Sequence, residues 1–268
     1  MLRKFPVIIY ALLIIVPLLI VVLTSMKTMQ QTFQNPLGVP DDGLVFENYA
    51  AIFEEQNMAG YFANSVIVTI FSVTFTLLFS SMIAFGITML NNWLGNLLFT
   101  VFILGMMVPA QVSMIPLYSL VLDLGLTNSL VGLILVNISV TLPIAVFILT
   151  GFMRTLPKEL IEAAVIDGAG NWKVFSRVII PLSLPSMSAA AIFLFVIHWN
   201  DLLYPLLLVT EDDYVTLPLA LLQFQGQYST NYPMLFTGVI IASLPMVIAY
   251  VFLQRFFVAG ITAGAMKG

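Results

Sequence analysis

Six apolar runs, at about 5–26, 63–90, 97–122, 131–153, 183–208 and 232–254, leave this chain few folds to choose from. A helix rising about 1.5 Å per residue crosses a hydrocarbon core of roughly 30 Å in about 20 residues. In lipid, every backbone N–H and C=O has to be bonded within its own segment, so such runs are helical. The strict alternation of a membrane β-barrel is absent. With 60% hydrophobic and 8% charged residues, the 268-residue chain has too little polar surface for a water-soluble domain. The sequence therefore reads as an all-α membrane protein, one transmembrane domain (1–268) with six spans.

Lysine and arginine placement orients the spans. Arg3 and Lys4 precede the first run, Arg154, Lys158, Lys173 and Arg177 separate the fourth from the fifth, and Arg255 and Lys267 follow the sixth. Six crossings put all eight on one side, the cytoplasm, together with both termini. Lys27 alone falls outside. Asp41, Asp42, Glu47, Glu54, Glu55, Asp123, Glu211, Asp212 and Asp213 collect on the external side. The net charge of −4 averages these two faces and says little about partners. The first run is too long for a signal-peptide core and no small-residue cleavage site follows it, so it reads as a retained helix.

The composition also narrows the chemistry. There is no cysteine and one histidine, which removes thiolate and His-based metal sites and a Cys nucleophile. None of Lys4, Lys27, Lys158, Lys173 and Lys267 sits in a G-x-x-x-x-G-K-[ST] phosphate loop, so ATP would have to be hydrolysed by another polypeptide. The external segment 27–62 is turn-rich, with a short amphipathic helix expected at 45–59, and 91–96 reads as a tight turn. Pro17, Pro109, Pro116, Pro143, Pro205 and Pro245 fall inside the runs, as kinks that either shape the bundle or act as hinges.

One strongly polar stretch, 154–182, breaks the apolar pattern. Pro157 suits the first position of a helix, Lys158 to Asp167 are good helix formers, and Gly168 and Gly170 end it. A second amphipathic turn starts near Asn171, with Trp172, Phe175 and Ile179 on one face and Pro181 as its stop. Leu160, Ile161, Ala163, Ala164 and Val165 make a small apolar body edged by Glu159, Glu162 and Asp167. The two alanines leave room for a close approach. That composition suits a knob seated in a partner's groove. The alternative, a helix lying on lipid headgroups, calls for a more basic surface.

The run Glu162-Ala163-Ala164, three residues, Gly168, nine residues, then Val178-x-Ile180-Pro181 resembles the EAA loop of ATP-binding cassette importer permeases. The usual Ile-x-Leu-Pro ending is here Val-x-Ile-Pro. Asn64-Ser65, Ile115-Pro116-Leu117-Tyr118, Leu124-Gly125-Leu126, Pro157-Lys158-Glu159-Leu160, Trp199-Asn200-Asp201, Thr216-Leu217-Pro218-Leu219 and the ending Gly264-Ala265-Met266-Lys267-Gly268 extend the likeness over nearly the whole chain. Together they resemble carbohydrate-uptake permeases, most of all the six-span partner of the maltose-system pair. The resemblance implies a type I importer fold in a bacterial or archaeal cell membrane. It also implies a second homologous permease, two ATP-binding cassette subunits that hold ATP and Mg, an extracytoplasmic sugar-binding protein, no cofactor in this chain and no nucleic acid. By the same resemblance Glu162, Ala163, Ala164, Asp167 and Gly168 couple to the ATPase, and the tail from Gly260 to Gly268 reaches toward it.

A sugar path needs aromatic platforms and neutral hydrogen-bonding groups, for which Tyr118, Asn137, Trp199, Asn200, Tyr204 and Ser243 are the candidates. The same aromatic residues also serve as interfacial belts and packing. His198 and Asp201, three apart, would share a helix face as a proton relay, a structural or gating pair, or a substrate contact. The alternatives to a sugar importer are a non-sugar importer permease, whose charged cargo would call for opposite charges in the path, and a stand-alone secondary carrier. Composition leaves carbonyl-built sodium sites open. A membrane enzyme would need a cluster of catalytic groups that the sequence does not offer.

Overall fold

The structure, a computed structural model, describes residues 5–40, 43–54, 57–90, 92–226 and 230–265, with side chains between 6 and 252. Arg3, Lys4, Asp41, Asp42, Glu55, the Arg255 side chain, Lys267 and the tail beyond 265 lie outside the described residues. Among those described, the regular structure is helical apart from one isolated bridge, Gln225 to Thr230. The long helices are α1 (Phe5–Ser25), α4 (Met58–Leu90), α5 (Trp93–Met106), α6 (Ala110–Asp123), α7 (Leu130–Met153), α10 (Ile180–Trp199) and α13 (Tyr232–Ala265). Shorter ones are α2 (Met29–Gln34), α3 (Glu47–Glu54), α8 (Lys158–Ile166), α9 (Asn171–Val174), α11 (Leu203–Leu208) and α12 (Leu217–Ala220). By length and composition, five described helices could cross a membrane, and six if α5 and α6 form one bent span.

Two expectations about the spans need correction. The third is not one helix over 97–122: α5 and α6 meet at 95°. Pro109 stands in extended backbone just before α6, lacks an N–H, and pushes Val108 out of the helical region. The fifth is helical over Asn171–Trp199 rather than 183–208. Pro181 therefore does not stop the turn that begins at Asn171. A π-helical turn, Phe175–Ile179, joins α9 to α10, with the Ile180 N–H bonded back to the Phe175 carbonyl. Pro181 then falls in the first turn of α10, where a missing N–H is tolerated.

The residues pack as two compact units. One comprises Met1–Asn64 with Val215–Val247, the other Ser65–Tyr214 with Ile248–Gly268. In the first unit, Lys27 is fully buried and its ammonium donates to the Asn35 carbonyl at 2.6 Å, at the C-terminus of α2. Cations are favourable at a helix C-terminus, so the lysine that breaks the positive-inside pattern has a structural partner. Asn48 Nδ2 donates to the Ser25 and Lys27 carbonyls, and Thr237 Oγ1 to the Ser25 carbonyl, satisfying the end of α1. Asn64 Nδ2 donates to the Val215 carbonyl at 2.9 Å.

The second unit holds α7 packed against α5 and α10, together with most of α4. Ser65, Thr69, Ser72, Thr76 and Ser80 recur every three or four residues on this helix and all are buried. Small side chains on one face let neighbouring backbones approach closely, which is what drives helix association where lipid is as apolar as the protein. Its cluster of buried side chains includes Ala84, Leu149, Met153, Val174, Ile179 and Ala190, and Ile161, Ala164 and Ala169 pack against it from the polar loop.

Candidate functional site

The polar stretch folds back as α8 and α9. Asp167 is the C-cap of α8, and Gly168 follows with φ +78°. The Gly168 N–H donates to the Val165 carbonyl and the Ala169 N–H to the Ala164 carbonyl, both at 2.9 Å. These are the paired bonds of a helix closed by a left-handed residue, a conformation that glycine adopts without steric cost. The Gly170 carbonyl then accepts from the Lys173 and Val174 N–H groups and starts α9.

This closure sorts the predicted coupling residues. Glu162, Ala163, Asp167 and Gly168 are exposed. Ala164 is half-buried against the cluster in the second unit, as is Ile161. The two alanines therefore do not form one open surface: Ala163 faces out and Ala164 seats the helix. Trp172 parts from Phe175 and Ile179 in the same way, because those two are buried while Trp172 remains 65% exposed. Its ring lies 5.5 Å from that of Phe175, which in turn lies 5.3 Å from Phe85 of α4. Ile166, 84% exposed at the end of α8, is the residue that motif reading overlooked. Two residues past the inward-facing Ala164, Ile166 sits roughly 200° round the helix, on the side away from the cluster.

The interior polar residues divide differently. His198 Nε2 lies 3.3 Å from Thr141 Oγ1, which donates to the Asn137 carbonyl and lies 3.4 Å from Thr76 Oγ1. This buried chain links α10, α7 and α4. Asp201 is not part of it, and the shared helix face with His198 is not realised. The helix ends at Trp199, and Asp201 Oδ1 instead accepts from the Leu203 and Tyr204 N–H groups at the start of α11.

Of the residues named for a sugar path, Asn137, Trp199 and Tyr204 are buried, and Tyr118 and Asn200 are exposed, all in the second unit. Trp199 stacks on Phe195, and Asn200 Nδ2 donates to the Val196 carbonyl. Asn137 Nδ2 and the Tyr204 hydroxyl have no hydrogen-bond partner among the described residues. Ser243, exposed in the first unit, donates to the Ile240 carbonyl. A further residue, Asn128, sits at φ +49°. Its Oδ1 accepts from the Thr210 N–H at 2.6 Å and from the Glu211 N–H at 3.2 Å, clamping the segment after α11. Asparagine is tolerant of this conformation.

A bundle of membrane-length helices, carrying a glycine-closed amphipathic helix outside its apolar runs, defines a multi-pass membrane protein. Residues 76–263 match the family described as binding-protein-dependent transport system inner membrane component, and the chain belongs to that family. It is 34% identical over 261 residues to the arabinooligosaccharides transport system permease protein AraQ of Halalkalibacterium halodurans, covering 96% of this chain and 93% of that one. It is 33% identical over 254 residues to the melibiose/raffinose/stachyose import permease protein MelC of Bacillus subtilis, covering 94% and 91%. Among solved structures it superposes, with a TM-score of 0.81 at 19% identity, on a chain of a bacterial ABC transporter that imports the acidic polysaccharide alginate, covering 96% of this chain and 95% of that one.

Proposed function

We propose that this chain is one permease of an ATP-driven sugar importer in a cell membrane. It forms half of the translocation path and couples to a separate ATPase through α8. The observation that carries this reading is the exposed outer side of α8 and its closing turn. There Glu162, Ala163 and Asp167 surround an uncovered Ile166, with Trp172 just beyond. Aromatic and apolar anchors within a polar surround are the composition of an interface centre. Ala164, Ile161 and Ala169 tie that surface to the cluster holding α4, α7 and α10 together, so a push on α8 reaches the spans.

The relatives named for oligosaccharide transport support a sugar as cargo. A solved bacterial alginate transporter of similar fold is in complex with a periplasmic protein bound to an alginate pentasaccharide, which supports delivery by an external binding protein. A second homologous permease and two ATP-binding cassette subunits, which hold ATP and Mg, complete the assembly, and this chain needs no cofactor of its own. The loop and both termini face the cytoplasm, as the basic residues indicate. Asn137 and Tyr204, each with an unengaged polar group, are the best-placed of the sugar-path candidates. Nucleotide-driven closure of the ATPase pair then shifts the permeases between inward and outward populations.

Glu162→Lys tests the coupling. Reversing one charge at a buried interface costs about 2–5 kcal/mol, so uptake and substrate-stimulated ATP hydrolysis should fall at least tenfold while membrane insertion persists. Wild-type uptake by this variant would remove Glu162 from the coupling surface.

A further inference from the structure

Two adjoining hollows open in the second unit, where α4 ends, α5 begins and α7 passes into α8. The first, about 560 Å³, carries Thr88, Asn96, Arg154 and Lys158 on its wall, with Glu162 as the single carboxylate among its lining residues. The second, about 660 Å³, is walled mainly by apolar side chains, among them Phe85, Leu98 and Phe102. Ile87 and Met89 border both, so a polar hollow and an apolar one lie side by side around the end of α4.

The arginine is held in place. Arg154 Nη2 donates to Asn96 Oδ1 at 3.0 Å, and its guanidinium carbon lies 4.5 Å from the centre of the Phe99 ring. A guanidinium offers five N–H donors, so this bond fixes the plane and leaves capacity for an anion. Lys158, the first residue of α8, is exposed and adds a second cation. The level of this site along the spans is marked by Trp93, 74% exposed at the first turn of α5. Tryptophan in that setting belongs to the belt at the headgroup level.

We propose that the paired hollows hold one anionic phospholipid. Its phosphate lies on Arg154 and Lys158, and an acyl chain lies along Leu98 and Phe102. Basic pockets between helix ends fit such headgroups. The apolar hollow decides between occupants: a free phosphate has no use for it, and an acidic protein segment matches the cations but leaves it unfilled. The inference needs only that the chain spans a membrane, and it is independent of whether Glu162 couples to an ATPase.

The test is lipid retention by the purified transporter, measured by native mass spectrometry after exchange into phosphatidylglycerol or phosphatidylcholine. One phosphatidylglycerol should be retained in preference to phosphatidylcholine. At about 1 kcal/mol per basic residue, Arg154→Gln or Lys158→Gln should weaken retention about fivefold each, and the pair about thirtyfold. Arg154→Lys, which keeps the charge, should retain the lipid and so separates lost charge from lost folding. Equal retention of the two lipids, or retention unmoved by the double variant, overturns the proposal. So does displacement of the lipid by inorganic phosphate, which would make this a site for a free anion. The native chain has no cysteine. Cross-linking of Asn96→Cys to an ATPase subunit would therefore assign the hollow to protein and overturn the proposal as well.

Discussion

Lys27 illustrates how a single residue can defy a topology rule for a local reason. It is the cation on the wrong side of the sequence pattern, and it is fully buried with its ammonium on the Asn35 carbonyl. Lys27→Met keeps the apolar stem and deletes the donor, leaving a carbonyl at the end of α2 without its partner. A fully buried acceptor left unsatisfied costs about 1–3 kcal/mol; Asn35 is half-buried, so the thermal unfolding midpoint of the detergent-solubilised protein should fall by the lower end of that range. An unchanged midpoint would show that the ammonium contributes nothing net. Sequence reading could mark Lys27 as an exception but could not supply its partner, because the acceptor is a backbone carbonyl, a group that every residue carries. The same limit applies to Asn128, whose grip on Thr210 and Glu211 joins residues more than eighty positions apart. By contrast, Gly168 was legible, because a glycine after a helix-forming run has few other uses.

The elements were legible where hydrophobicity alone decides them and illegible where backbone geometry intervenes. Helix α7 matches its expected run almost residue for residue, whereas the bend between α5 and α6 and the π turn before α10 shift or divide theirs. Apolar composition continues through a bend and through a π turn, so it cannot report either. The stripe on α4 was open to reading and went unused: a Ser or Thr every third or fourth residue has helical period, but it is masked by the apolar residues between. Its test is at Ser72, which is fully buried and whose hydroxyl has no partner among the described residues. Ser72→Ala removes an oxygen that does no bonding and should leave assembly and stability near wild type. Ser72→Leu forces extra carbons into a close helix contact, with a typical cost of about 1–3 kcal/mol, and should lower the unfolding midpoint. If leucine is tolerated as well as alanine, the stripe is not a packing seam.

At the scale of the whole molecule, the proposal needs α8 and the segment after α11 to lie on opposite faces of the membrane. The run from Asn171 to Trp199 is 29 residues long. At about 1.5 Å per residue it extends roughly 43 Å, enough to cross a 30 Å hydrocarbon core. Its first turns carry Lys173 and Arg177, and the residues beyond its other end include Glu211, Asp212 and Asp213. Positive residues are held on the cytoplasmic side and acidic ones have little say, so the proposal puts the basic end in the cytoplasm. Both Lys173 and Asp213 are exposed, and a chain without native cysteine permits single-cysteine labelling at either. Asp213→Cys should react with a membrane-impermeant maleimide in cells whose outer face is open to the reagent. Lys173→Cys should react only after permeabilisation, with or without the ATPase present. The reverse pattern would place α8 outside, where no nucleotide-driven subunit could reach it. Labelling of both from one side would mean that the run does not cross the membrane.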